Sequence, residues 1–389
     1  MKEIESLKKE FKDATISIEK DFINIIHPNS KDVKKLFDIN TKVKTNKIDL
    51  YGIKLFLTTK YLLGQSIARF DYFEAVVDFS NIFDYYDGES ISIKACGKDY
   101  KKKCHFEIDR ISEEFTEFLD QSIHWDHFSS EYFHSIKIYN FNSIYKLEID
   151  NKEFYTKILE TCCQIFFQLS SKHGLNVKLT DLSDNEKYQP EIEEADTSAI
   201  KSTVIEFENY DFDLVNYYNR AIHLPNSNFK YIAFFQVLEC IFDEVYLNET
   251  IQDTRSILNS EWFSSNNSEH VQLLIKLIER FNKDQNDRSK VKLILEKYFK
   301  MNLHDEAYLV AYSDVSSILI SLKLITNESE LKDLQKIANF IYDIRNEYTH
   351  SNRKFPKRKE TNVEALKINE HIELIRLISK TIILNYKRP

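Results

Sequence analysis

LKDLQKIANFIYDIRNEYTHSNRKFPKRK, residues 331–359, carries both the architecture and the chemistry of this chain. Leu331, Leu334, Ile337, Ala338, Ile341 and Ile344 recur at three- and four-residue intervals, which places them on one stripe of a helix and predicts a helix over 328–348. Arg345, Asn346 and His350 follow in the pattern R-N-x3-H, and Pro356 closes the stretch that comes after. The same spacing recurs on both sides and predicts helices over 211–222, 228–246, 268–283, 287–299, 305–323 and 362–387. One apolar stripe per helix makes a helical bundle.

Glycine usage supports this. The chain has five, at Gly52, Gly64, Gly88, Gly97 and Gly174, and none from residue 175 onward. A half-chain with no Gly and few Pro has little to interrupt a helix. The same scarcity excludes a Walker A loop, a dinucleotide GxGxxG turn and a GxSxG nucleophile elbow, which all need glycines where backbone turns sharply or approaches phosphate.

The N-terminal half is mixed. Ile91, Ile93 and Ala95 alternate before a Gly97-Lys98-Asp99 turn, and Cys104, Phe106 and Ile108 alternate after it, so a β-hairpin is predicted. Further alternation at Ile136 and Ile138, at Tyr145, Leu147 and Ile149, and at Leu175, Val177 and Leu179 brackets a helical spacing over 152–172. An α+β domain of mostly antiparallel strands is expected over 1–182, and an all-α bundle over 205–389. Between them, 183–204 reads as an acidic linker around Pro190.

With 389 residues, 42% hydrophobic and 30% charged, the chain has the composition of a two-domain globular protein. Its net charge of -9 argues against general polyanion binding, so any nucleic-acid site must be local. The charged N-terminus and the absence of a long apolar run predict a cytoplasmic protein with no membrane partner. Cys96, Cys104, Cys162, Cys163 and Cys240 show no CxxC spacing and read as reduced thiols. His124, His127 and His134 with Asp126 lack thiol or carboxylate partners at a recognisable spacing. Neither a metal nor a cofactor is assigned. Lys98 and Lys101 to Lys103 form a small basic cluster that reads as solvated strand ends, and the 22 Tyr and 28 Phe read as core.

A bare R-N-x3-H is short enough to occur by accident in a chain with 11 His, so its surroundings must supply the specificity. From Arg345 to Lys359 there are six cations and one acid, a local +5 that leaves -14 for the rest of the chain. A polyanion is drawn to such a segment. Five residues of helix rotate by about 500°, which would set Arg345 and His350 about 140° apart, so convergence requires the helix to end between them. SNRKFP supplies that end, and a long closing helix follows it.

This combination resembles the HEPN domains, particularly those at the C-terminus of larger prokaryotic defence proteins. FFQVLECIFDE, residues 234–244, also looks like an early core helix of that group, and the resemblance covers roughly 205–389. It implies a metal-independent endoribonuclease, a toxin or antiviral abortive-infection effector, working as a homodimer through the helical domain. His350 would be the general acid or base, Arg345 would hold the scissile phosphate, and Asn346 would orient either group. Arg353, Lys354, Lys357 and Arg358 would bind flanking RNA, and Glu239 is a possible supporting partner of Arg345. The N-terminal domain would sense a regulatory protein or phage trigger. Some relatives carry a modified Tyr two residues after the His, where this chain has Asn352. The alternative is a non-catalytic HEPN-like module that dimerises and binds a protein partner or nucleic acid. In that reading Arg345, Asn346 and His350 only cap a helix end.

Overall fold

The computed structural model describes residues 2–19, 22–28, 34–38, 50–62, 65–79, 93–96, 105–122, 134–141, 146, 152–180, 210–225, 227–283, 286–299, 306–349 and 362–386. The chain divides into two compact units, Met1–Glu208 and Asn209–Pro389. The first contains sheets and the second is helical. The acidic segment 183–204 and the alternating residues Tyr145, Leu147 and Ile149 lie outside the described residues.

The N-terminal unit opens with helix α1 (Lys2–Glu10) and a small antiparallel sheet of β1 (Thr15–Glu19), β2 (Phe22–Ile26) and β3 (Lys34–Asp38). Helix α2 (Leu50–Thr58) leads to β4 (Lys60–Leu62), β5 (Ser66–Arg69), β6 (Tyr72–Phe79), β7 (Ile93–Cys96) and β8 (His105–Arg110). Helix α3 (Glu113–Ser122), β9 (His134–Tyr139), helix α4 (Lys152–His173) and β10 (Val177–Leu179) complete it. The larger sheet runs β4-β5-β6-β9-β8-β7, all antiparallel, with β10 paired to the far end of β6. β7 and β8 form the expected hairpin, pairing Ile93 with Ile108 and Cys96 with His105.

Strand alternation explains both faces of this sheet. Phe73, Ala75, Val77 and Phe79 of β6, with Ile136 and Ile138 of β9, bury against Ile158, Cys162, Ile165 and Leu169 of α4. On the opposite face Ile67 and Val76 join Phe56, Phe115, Phe118 and the β2 isoleucines. That second core, built from the first 120 residues, had no clear periodicity in the sequence because its elements are short. Glu74 sits among them fully buried, and its carboxylate accepts hydrogen bonds from Tyr72 Oη (2.5 Å), Ser112 N (2.8 Å), Ser112 Oγ (2.5 Å) and Ser135 Oγ (2.6 Å). Four donors satisfy the carboxylate and fasten the start of α3 to the sheet.

The C-terminal unit comprises α5 (Phe212–Ile222), α6 (Asn228–Glu239), α7 (Phe242–Leu258), α8 (Ser268–Lys283), α9 (Asp287–Tyr298), α10 (Glu306–Ser321), a 3-10 turn at Glu328–Lys332, α11 (Leu334–Thr349) and α12 (Asn362–Asn385). Asp211 caps α5 by accepting from the backbone N–H of Asp213 and Leu214. α12 packs on α5, α6, α9 and α10, and α6 packs also on α11. Tyr218, Tyr231, Phe234, Leu295, Ile341, Ile375 and Ile378 are among the side chains fully enclosed there.

Two boundaries differ from the periodic reading. The single helix expected over 228–246 is two, α6 and α7, because bonding tightens at Ile241, whose N–H reaches back three residues to the Leu238 carbonyl (3.2 Å). That step buries Ile241 and brings the Phe235 and Phe242 rings edge to face at 6.1 Å. No Gly or Pro marks it. The helix expected from 328 begins with the 3-10 turn, and α11 starts only after Asp333, whose Oδ1 accepts from Lys336 N (3.2 Å). Among the described residues no helix is long and apolar enough to cross a membrane.

Candidate functional site

Helix α6 presents Tyr231, Phe235 and Glu239 at four-residue intervals, hence on one stripe. That stripe meets α11. Tyr231 Oη donates to the Ile341 carbonyl oxygen at 2.8 Å, and the Phe235 ring centroid lies 5.9 Å from the Arg345 guanidinium carbon. Glu239 Oε1 accepts from Arg345 Nη2 at 2.8 Å. Arg345 Nη1 in turn donates to Asn346 Oδ1 at 3.2 Å. Residues 106 positions apart in sequence thus converge on one guanidinium, which has a ring beneath it, a carboxylate at one nitrogen and an amide oxygen at the other.

The pair is half-buried, with side-chain exposures of 23% for Arg345 and 33% for Glu239. Partial removal from water strengthens each charged contact relative to bulk solvent. A guanidinium carries five N–H donors in a fixed fork, and the described contacts engage two of them. The arrangement holds an orientable cation at the surface with donors remaining for an anion such as a phosphate.

The last turn of α11 is held from a second direction. Tyr348 Oη lies 2.8 Å from His371 Nδ1 on α12, so one of the two groups donates to the other according to the imidazole tautomer. The Tyr348 ring meets Tyr231 edge-on at 5.3 Å, and His371 meets Phe340 at 5.6 Å. Burial, with the nearby Lys367 charge, pushes the His371 pKa down to about 4. Burial and the charge of Glu347 raise that of the Tyr348 phenol. Both groups are therefore neutral at pH 7. Thr349 Oγ1 donates to the Arg345 carbonyl oxygen at 2.7 Å, within the last described turn of α11.

Of the residues singled out from sequence, Arg345, Asn346 and Glu239 come together here. His350, Arg353, Lys354, Lys357 and Arg358 lie outside the described residues, as do Lys98, Lys101 to Lys103, His124, Asp126 and His127. His134 is buried at the start of β9, its ring edge-on to Phe79 at 5.5 Å, and burial lowers its pKa to about 4. Among the described residues no group of three or more His, Cys, Asp or Glu could hold a metal ion. Cys162 is buried, Cys163 half-buried and Cys240 exposed.

Tyr231, Phe235, Tyr348 and His371 were not singled out from sequence. The four-residue spacing of Tyr231, Phe235 and Glu239 is the signal that joins the first two to Glu239. His371 has no such signal, since its relation to Tyr348 exists only once α12 packs beside α11. Comparison of the chain with protein-family models, with curated proteins and with solved structures returned no match.

Proposed function

We propose that the C-terminal unit is a HEPN-like, metal-independent endoribonuclease. The observation that carries this reading is the bracing of Arg345 by Glu239, Asn346 and Phe235 at the end of α11, immediately before His350 and a strongly basic segment. A structural cap would need only a cation near the last carbonyls of the helix. Here the guanidinium is instead tied sideways to another helix, with its flat fork oriented and partly exposed, which suits recognition of a phosphodiester.

In the proposed reaction His350 takes the proton of a ribose 2′-hydroxyl, and that oxygen attacks the adjacent phosphorus. The phosphorus–5′-oxygen bond breaks, and the leaving oxygen acquires a proton. Arg345 holds a non-bridging oxygen and stabilises the charge gathering on it. The products are a 2′,3′-cyclic phosphate and a 5′-hydroxyl. Arg353, Lys354, Lys357 and Arg358 hold the flanking backbone, Asn346 orients the phosphate or the imidazole, and no metal or cofactor takes part. The protein acts in the cytoplasm as a homodimeric toxin or antiviral effector, and the N-terminal unit senses the trigger.

The test is cleavage of total cellular RNA in EDTA by wild type, His350→Ala and Arg345→Ala, with analysis of fragment ends. Cleavage by wild type alone, leaving cyclic or 3′-phosphate ends, is the expected outcome. Equal cleavage by all three sinks the assignment. RNA binding that survives both substitutions, with no turnover by wild type under any trigger, points to the non-catalytic interaction module.

A further inference from the structure

The end of a helix is its weakest part, because the last carbonyl groups have no N–H four residues further on to bond. The end of α11 carries Arg345, Asn346 and Tyr348, and His350 follows it in the sequence. Side chains that tie this end to the rest of the bundle therefore govern how steadily a site built on it is presented.

Two anchors tie it, and they lead to different helices. Arg345 reaches α6, through Glu239 at 2.8 Å and the ring of Phe235. Tyr348 reaches α12, where its Oη lies 2.8 Å from His371 Nδ1. The two residues are three apart, about 300° around the helix, so they stand roughly 60° from each other on one side of it. A helix end fixed at one point can still turn and slide about that point. A second anchor at another angle and another height removes both freedoms.

The surroundings of the second anchor make it firm. The His371 ring meets Phe340 edge-on at 5.6 Å and Tyr348 at 6.1 Å, so one side chain of α12 spans two turns of α11. The Tyr348 ring also meets Tyr231 of α6 edge-on at 5.3 Å, and the Tyr231 hydroxyl bonds the Ile341 carbonyl. Three helices thus meet at one phenol. The bond joins two half-buried neutral groups, so salt does not screen it and water competes for it less than at an open surface. A bond made for stability alone could sit anywhere along α11. This one is three residues from Arg345 and two from His350.

We infer that Tyr348 and His371 are positioning residues of the ribonuclease site: through their hydrogen bond α12 holds the end of α11 so that Arg345 and His350 act on one phosphodiester. The inference rests on the ribonuclease reading. Neither residue contacts RNA in it, so loss of the bond slows the chemical step and leaves RNA affinity as it was. Misplacement of a reacting group by about 1 Å costs on the order of a hundredfold in rate.

Single-turnover cleavage by the full chain tests it, with wild type, Tyr348→Phe, His371→Ala, His371→Asn and the double variant Tyr348→Phe/His371→Ala. Enzyme is kept in saturating excess, so that the rate constant does not depend on what fraction of the protein is folded. That rate constant is expected to fall about ten- to a hundredfold in Tyr348→Phe and in His371→Ala, with the RNA Kd within about twofold of wild type. The double variant should be no slower than the slower single, because the two side chains act through one bond. His371→Asn sets an amide where Nδ1 stood, can bond the phenol again, and should recover most of the rate.

Cleavage by wild type with unchanged rate constants in both single variants overturns the inference and leaves the ribonuclease reading standing. Losses that multiply in the double variant, or an Asn variant as slow as the Ala one, overturn it in the same way and give the two side chains a structural part alone. No cleavage by wild type under any trigger removes the ribonuclease reading, and this inference with it. Should His371→Ala fail to fold, Tyr348→Phe, which keeps the ring against Tyr231, and His371→Asn still decide.

Discussion

In the proposed RNA site Glu239 would do two opposed things. Its carboxylate orients Arg345 through the 2.8 Å contact, and its negative charge offsets the attraction of Arg345 for phosphate. Replacing Glu239 by Gln keeps an acceptor of similar shape and removes the charge. RNA affinity should therefore rise, and become more steeply dependent on salt, while kcat falls by tenfold or more because a neutral amide holds the guanidinium less firmly in position on the phosphate. Salt-titrated binding together with single-turnover cleavage separates the two effects, and a variant with unchanged kcat would remove Glu239 from the site. His371 gives a test that needs no substrate. Its pKa of about 4 in the folded protein lies below the 6.5 of an ordinary imidazole, so between those values the unfolded chain binds more protons than the folded one. Stability must then fall as pH drops from about 6.5 to about 4, and His371→Gln should lose that part of the slope. Thermal midpoints of both proteins across that range check it, and parallel curves would mean that the imidazole is not held neutral. His134 is depressed in the same sense, for the same reason of burial, and contributes over the same window in both proteins, so it cancels from the comparison.

At the scale of helices, the contact of α6 with α11 rests on Tyr231, which is enclosed entirely and spends its hydroxyl on the Ile341 carbonyl. Tyr231→Phe keeps the ring against Tyr348 and deletes that bond, at a cost of about 1 kcal/mol. For a unit of this size the loss corresponds to roughly 2–4 °C in melting temperature, measurable by calorimetry, and a larger drop would show that the hydroxyl also positions Tyr348. The elements themselves were legible in sequence to unequal degrees. Apolar stripes placed α5, α8, α9, α10, α11 and α12 within two residues at most ends, because each carries an apolar stripe and lacks internal Gly or Pro. The break at Cys240–Ile241 was not legible, since it arises from the fit of Phe235 to Phe242 and no helix breaker marks it. β1 to β6 were missed for another reason. Strands of three to eight residues interleaved with short helices give neither a period of two nor one of 3.6 long enough to stand out, and β5 and β6 are buried on both faces besides. In the site, Arg345 and Asn346 could be proposed because a charge reversal surrounds them, and Glu239 because it lies in FFQVLECIFDE, the stretch that resembles an early core helix of the HEPN group. Tyr348 and His371 lie 23 residues apart on different helices, and pairing of that kind is invisible until the helices pack.

Each of the two units has a core of its own, the N-terminal one centred on the β6–β9 sheet and the C-terminal one on α12. Units enclosed separately should melt separately, and two substitutions distinguish them. Glu74→Ala strips the acceptor from four donors in the N-terminal unit, the Tyr72 hydroxyl, the Ser112 N–H and hydroxyl, and the Ser135 hydroxyl. Orphaned buried donors make this costly, about 3 kcal/mol or more. Glu74→Gln should cost less, about 1–2 kcal/mol, because the hydroxyls of Tyr72 and Ser112 can rotate to accept from the new amide whereas the Ser112 N–H cannot. Leu295→Ala opens a cavity in the C-terminal unit, where that side chain is fully enclosed, at about 2–5 kcal/mol. Scanning calorimetry of the whole chain should then show two transitions, with the Glu74 variants lowering one in the order Ala beyond Gln, and Leu295→Ala lowering the other. In the proposed function the division decides how a trigger could act. If both substitutions move one shared transition, the units unfold together and a signal can pass as a change in the stability of the whole. If each moves its own, the N-terminal unit can open without unfolding the helices around Arg345.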